Sequence, residues 1–210
     1  MNKIKEIVIG TNNEGKYREI WDLLPSNIKK YSPKEFGILS PEETGKSFEE
    51  NSFIKASYFS KKTNFICLSD DSGLEIDLLK GEPGIYSSRL SGKKNNFNFA
   101  MKKIFKKMNN LKKDWQNDSA ARFICCMTIF WPNGKSYSSK GIVKGKISTT
   151  KKGKNGFGYD PIFIPEGFKE TFGEMKPKLK MSIDHRFKAF LKIKKFFTKY
   201  TLINFSFETL

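Results

Sequence analysis

Histidine is almost missing from this sequence: among 210 residues, His185 stands alone. Cysteine is nearly as scarce, limited to Cys67, Cys125 and Cys126. One imidazole and three thiols, two of them adjacent, match no zinc-ligand spacing. An odd number of cysteines inside apolar runs also argues against a disulfide framework, so buried, reduced thiols of a cytoplasmic protein are expected. No apolar run approaches the roughly 20 residues needed to span a bilayer. The opening MNKIKEIVI lacks the long apolar core of a signal peptide. Repeats and low-complexity linkers are absent, and residues 1–210 read as one domain, large enough for two lobes around a cleft. Negative charge is the scarcer sign, with 22 Asp and Glu against 39 Lys and Arg, a net +17. Such an excess invites a polyanion partner. The lysines, however, are spread over nearly every segment, as on a solvated surface, and no dedicated nucleic-acid partner is expected. A small anionic substrate gains from the overall field in either case.

What the chain does have is one dense stretch, residues 65–92, FICLSDDSGLEIDLLKGEPGIYSSRLSG. A buried strand over 65–68 is expected to end in an acidic turn, Ser69-Asp70-Asp71-Ser72-Gly73, followed by alternating Leu74, Ile76 and Leu78. Adjacent carboxylates repel, and a hard cation such as Mg²⁺ is the usual compensation. Gly81-Glu82-Pro83-Gly84 then makes a turn, and Tyr86-Ser87-Ser88-Arg89 offers donors to an anion. Acid, hydroxyl, glycine and arginine together suggest metal-assisted chemistry on a phosphate. Taken alone, Asp-Asp-Ser-Gly also fits an ordinary tight turn.

From the N-terminus, residues 4–9 read as a buried strand running into Gly10-Thr11-Asn12-Asn13-Glu14-Gly15-Lys16 and then a helix with Ile20, Leu23 and Leu24 on one side. Strand, polar loop and helix point free backbone N–H groups at an anion. The spacing is not that of a Walker loop, and a helix merely capped by Thr11 or Asn12 is the plainer alternative. Pro25 ends this helix, and residues 28–31 can form a short strand. After the acidic loop Pro41-Glu42-Glu43-Thr44-Gly45-Lys46, Ser47-Phe48-Glu49-Glu50 has the form of a capping box opening a helix. Phe48, Ile54 and Phe59 are its core candidates, and Asn51 and Lys55 share one face. Glu42, Glu43 and Lys55 are by default solvated surface.

Residues 93–110 carry Phe97, Met101, Ile104, Phe105 and Met108 at helical spacing, which reads as core packing. Residues 119–131 and 137–147 read as an antiparallel pair around the Asn133-Gly134 turn. A glycine run around two aromatics, Gly153 to Pro161, precedes a strand at 162–164. It lets backbone approach a flat ligand on which a ring can stack, though a glycine-rich hairpin has the same look. His185 and Arg186 start an amphipathic helix with Asp184 as N-cap. Residues 203–207 alternate like a half-buried strand.

Five segments, TNNEGK, EETGKSFEENSFIKA, SDDSGLEIDLLKGEPGIYSSRLSG, GFGYDPIF and KMSIDHR, stand in this order. Together they closely resemble the inosine triphosphate pyrophosphatase, or Ham1-like, family over about residues 4–199, with residues from about 200 to 210 as an added tail. The resemblance implies an α/β fold: a long mixed central sheet shared by two lobes, flanking helices, and a nucleotide cleft between the lobes. It implies Mg²⁺-dependent hydrolysis of ITP, dITP and XTP to monophosphate and pyrophosphate, clearing deaminated purines from the nucleotide pool, by what is commonly a homodimer. By position, Thr11, Asn12, Asn13, Glu14, Gly15 and Lys16 would hold the triphosphate. Glu42 and Asp71 would bind Mg²⁺, and Asp71 would also be the general base. Ser72 would contact the nucleotide. Phe157, Gly158, Tyr159 and Asp160 would form part of the base pocket, with Phe157 stacking. Lys180, His185 and Arg186 would reach the purine edge. Two positions depart from the family pattern: Asn12 stands where glycine is common, and Asp184 stands where serine is usual. The alternatives are a Maf-like pyrophosphatase acting on other nucleotides and a basic nucleic-acid-binding module.

Overall fold

Ile7, Val8 and Ile9 are fully buried and, with Glu6, form strand β1 (Glu6–Ile9) at the heart of the molecule. The computed structural model describes residues 4–92 and 96–197. The alternating tail at 203–207 and the expected helix start at 93 therefore lie outside the described residues. β1 leads into α1 (Glu14–Leu23), and β2 (Lys29–Tyr31) returns parallel to β1. Then come α2 (Phe48–Thr63), β3 (Cys67–Ile76), the short α3 (Ser87–Leu90) and α4 (Phe97–Leu111). β4 (Ala120–Phe130) and β5 (Ser136–Ile147) form the long hairpin, with Gly134 at φ +87° in its turn. β6 (Phe163–Pro165), α5 (Pro177–Ile183) and α6 (His185–Ile193) complete the order. The strands form one six-stranded mixed sheet in the order β2-β1-β3-β4-β5-β6. β1 pairs parallel with β2 and β3, and the remaining pairs are antiparallel.

Alternation along β3 and β4 divides the packing between the two faces. On one face α2 sets Phe59 against Val8 and Cys67, and Phe48 against Ile124 and Cys126. On the other, Ile20 of α1 and Ala189, Phe190 and Ile193 of α6 pack against Leu68, Cys125 and Met127. Further along that face, Ala100, Met101, Ile104 and Met108 of α4 meet Leu74, Ile76, Phe123 and Phe163. Truncating a fully buried ring such as Phe59 to alanine costs about 3–5 kcal/mol, so these contacts fix where each helix sits. All three thiols are buried and free, as expected. No helix among the described residues is long and apolar enough to cross a membrane.

One expectation is corrected outright. Asp70 and Asp71 do not sit in a turn; they lie mid-strand in β3, opposite Met127 and Cys126 of β4. Their backbone groups belong to the ladder, and each side chain meets cations on its own face of the sheet. The Ser47 cap is present, its hydroxyl accepting from Glu50 N–H at 3.1 Å, but the Glu50 carboxylate reaches back to Lys46 N–H instead of the cap residue.

Candidate active site

The loop from β1 to α1 is built by local hydrogen bonds. Asn13, not Thr11 or Asn12, caps α1: its side-chain oxygen accepts from Lys16 N–H at 3.1 Å. Thr11 Oγ1 accepts from Asn13 N–H at 3.1 Å, and Asn12 Nδ2 reaches Ile38 C=O at 3.5 Å. Asn12 needs no positive φ, which among the described non-glycine residues is confined to Asn64 and Lys80. Glycine is therefore not required there. Glu14 points away, exposed and paired with Lys34 at 3.1 Å. Lys16 turns inward, with Nζ 3.5 Å from Asp70 Oδ2 and 3.8 Å from Asp71 Oδ1.

Because neighbouring residues on a strand face opposite ways, the two aspartates serve two networks joined by Lys16. Asp70 Oδ2 accepts from Arg186 Nη2 at 2.8 Å, and Ser72 Oγ on the same face accepts from that nitrogen at 3.0 Å. Burial alone would raise the Asp70 pKa, but Lys16 and Arg186 outweigh it and hold the carboxyl well below the usual carboxylate range. Asp71 Oδ1 accepts from Lys55 Nζ at 3.1 Å on the α2 face, and Lys55 also bonds Glu43. Burial dominates at Asp71 and pushes its pKa up despite Lys55 and Lys16. Lys55 is only 5% exposed, so the surface expected for it and for Glu43 is corrected: the Asn51–Lys55 face of α2 turns toward the sheet. Glu42 lies exposed in an open groove of about 1040 Å³ with Glu43, Lys46 and Arg89, and pairs with no cation among the described residues. It is Glu43 that the structure links to Asp71, through Lys55.

The second half of the site comes from the glycine run, α5 and α6. Phe157 lies against Gly15, where an added Cβ would come within 2.7 Å of its ring. Lys180 Nζ and the Arg186 guanidinium stand 5.3 and 5.9 Å from the ring centroid. Gly156 and Gly158 both take positive φ, +70° and +68°, which a side chain would strain. Asp160 Oδ2 accepts from Phe157 N–H at 2.8 Å and from Lys180 Nζ at 2.7 Å, which ties the loop to α5. Tyr159 is buried and donates to Ser87 C=O at 2.8 Å. His185, which the resemblance sets at the purine edge, lines the cavity between these elements; it is buried and stacked on Phe123 with centroids 4.8 Å apart, and burial and then Arg186 push its pKa well down. Asp184 caps α6 as expected, accepting from Phe187 N–H at 2.7 Å.

Glu19 is the residue that reasoning from sequence missed. It accepts from Lys180 at 2.6 Å and also bonds Arg186, so it couples α1 to the two cations beside Phe157. Its position one helical turn after Lys16 was the available signal. Burial opposes its ionisation, but Arg186 and Lys180 prevail and lower its pKa.

Between these parts lies a cavity of about 50 Å³, lined by Lys16, Ser72, Phe157, Lys180, His185 and Arg186 among others. Asn12 Oδ1, Asn51 Nδ2, Asp70 Oδ1, Asp71 Oδ2, His185 Nδ1 and Arg186 Nε are buried without a hydrogen-bond partner. Asp70 Oδ1 and Arg186 Nε lie on the α6 face and Asp71 Oδ2 on the α2 face, and buried polar atoms of this kind take a partner from water, an ion or a ligand. Among the described residues no three His, Cys, Asp or Glu converge as a metal cage. The unpartnered Asp71 Oδ2 fits a hard cation of the Mg²⁺ type, which takes one or two carboxylates and completes its shell with phosphate and water.

Relatives of similar sequence span most of the chain, and solved structures of similar sequence share its fold. The chain is 44% identical over 200 residues to a dITP/XTP pyrophosphatase of Dictyoglomus thermophilum, covering 92% of this chain and 95% of that protein. It is 40% identical over 185 residues to one of Flavobacterium johnsoniae, covering 88% and 93%. A Ham1 protein structure from Coxiella burnetii superposes with a TM-score of 0.81 at 35% identity, covering 90% of this chain and 96% of that one. One from Staphylococcus aureus gives 0.79 at 35% identity, covering 91% and 97%. The family model described as the Ham1 family matches residues 7–196, which takes in both networks of the site, and the chain belongs to that family.

Proposed function

We propose that the protein hydrolyses deaminated purine nucleoside triphosphates, ITP, dITP and XTP, to the monophosphate and pyrophosphate. The observation that carries this reading is the placement of the Asp71 carboxylate. It lies mid-strand with Oδ2 unpartnered and Oδ1 3.1 Å from Lys55 and 3.8 Å from Lys16, the lysine that also lines the cavity beside Phe157. Family membership favours this reading over the Maf-like alternative.

In this reading the N-terminus of α1 and Lys16 hold the triphosphate. Asp71, with Glu42 of the acidic loop, would hold Mg²⁺, which supplies charge neutralisation on the phosphate oxygens. Asp71 accepts the proton of the attacking water, the water oxygen bonds the α-phosphorus, and the bond to the bridging oxygen breaks, releasing pyrophosphate. Phe157 stacks on the purine. Arg186, Lys180 and backbone N–H groups favour a 6-oxo acceptor, since the amino group of adenine would leave buried donors unpaired. A cytoplasmic homodimer is part of the same proposal.

The test is pyrophosphate release from ITP, dITP and XTP against ATP and GTP, with and without Mg²⁺. Metal-dependent turnover that favours the deaminated purines is expected. Equal hydrolysis of all five would overturn the base selectivity, and no release from any of them by folded protein would overturn the function.

A further inference from the structure

The cavity beside Phe157 has a wall that the site described so far does not use. Phe97 is the first residue of α4, and it lines the cavity together with Tyr159, Phe157 and Arg186. The inward residues of α4, Ala100, Met101, Ile104 and Met108, are buried in the core, whereas Phe97 is only half-buried. Its ring centroid stands 5.3 Å from that of Tyr159 with the planes at 88°, and Tyr159 is itself anchored to Ser87 C=O. Gly158 of the glycine run lies close by; a Cβ added there would stand 3.7 Å from the Phe97 ring, an ordinary contact distance.

The ring is held at that rim from two sides. Asn96 caps α4 by accepting from Phe99 N–H at 3.1 Å, and its own N–H donates to Ser91 C=O at 2.9 Å. On the next residue, Asn98 Oδ1 accepts from Lys151 Nζ at 2.8 Å, which ties the first turn of α4 to the segment before the glycine run. A phenyl ring pinned at a cavity mouth by a helix cap and a cross-link costs little further ordering on binding.

Chemically, the wall is apolar and joins the rings of Phe123, Phe157 and Tyr159 in a pocket that also presents Lys16, Lys180, Arg186 and one carboxylate, Asp160. It has no donor for a phosphate and no means of telling a 6-oxo from an amino group. What it offers is area for the flat or sugar part of a nucleoside. We infer that Phe97 is an affinity-determining contact for the purine nucleoside part of the substrate, closing the α4 side of the pocket that Phe157 serves from the Gly15 side. This rests on the proposed function and adds a residue to its substrate site.

The experiment compares Phe97→Ala and Phe97→Leu with the wild-type chain. KM and kcat are read for ITP with Mg²⁺, and the inhibition constant is read for inorganic pyrophosphate, which carries no nucleoside. Phe97→Ala is expected to raise KM about five- to tenfold, the scale of one aromatic contact. Its kcat and its pyrophosphate inhibition constant stay within about twofold of wild type, since neither reports nucleoside binding. Phe97→Leu, which keeps an apolar wall, recovers part of the loss, and it is read by the same criteria if the alanine variant does not fold. An unchanged KM overturns the inference. So does a parallel rise in the pyrophosphate constant, which would mean that the ring supports the site as a whole. A wild-type chain that releases no pyrophosphate from ITP overturns instead the function on which the inference rests.

Discussion

Arg186 donates to Asp70 at 2.8 Å, and neither side chain is open to water: Arg186 is 1% exposed and Asp70 0%. Breaking such a pair strands a charge in the interior, at a cost of about 3–5 kcal/mol. Arg186→Ala is therefore expected to lower unfolding stability by that order, read from urea denaturation. The double variant Arg186→Met with Asp70→Asn, which removes both charges, should recover most of it. A double variant as unstable as Arg186→Ala would refute the stranded charge as the cause.

Asp71→Asn should reduce kcat by about 10²- to 10⁴-fold, the usual contribution of a general base. The fold should persist, because the amide fills the same place and Glu43 still pairs with Lys55. Turnover with the thermal midpoint measured alongside checks this; an active, folded variant removes Asp71 from the role of base.

Lys55 lowers the Asp71 pKa against the pull of burial. Lys55→Met removes that cation, so the Asp71 pKa rises further. Activity needs Asp71 ionised, and the acid limb of the kcat/KM profile should therefore move to higher pH. An acid limb that stays in place would mean that another group controls it.

Asp184 gives a pH dependence of stability with a definite sign. Burial, then the neighbouring Glu19 carboxylate, push its pKa from 3.8 up to about 6. A raised folded-state pKa contributes stability below the unfolded value that is lost as pH rises through the folded one. Asp184→Asn keeps the cap and removes the titration. The two proteins should melt together below about pH 4, and the asparagine variant should gain as pH rises from about 4 to about 6 and hold that gain above it. Thermal midpoints across that window decide it, and a constant difference would refute the assignment.

Much of this molecule was legible in its sequence, and the exceptions have physical reasons. Periodicity located the main helices, and the Asn133-Gly134 pair located the long hairpin, because those signals are local. Asp70-Asp71 read as a turn because charges in a central strand are rare; only the fold shows that Lys16, Lys55 and Arg186 arrive from three different helices to compensate them. Lys55 and Glu43 looked like surface for the same reason. Glu19 shares a helix face with Lys16, but its partners lie more than 150 residues away, and only the fold brings them to it. Phe97 carries a core residue's pattern and also lines a cavity, a distinction that periodicity does not make.

The strand alternation that parts Asp70 from Asp71 also restricts how this protein can change over generations. The ten paired positions between β3 and β4 lock the strand in place. A one-residue insertion or deletion upstream in β3 would turn each aspartate toward the other's partners, giving Asp71 to Arg186 and Asp70 to Lys55. The two neighbouring codons are thus bound to a shared spacing: substitutions can test either carboxylate alone, but a frame-preserving length change here must answer to both networks at once.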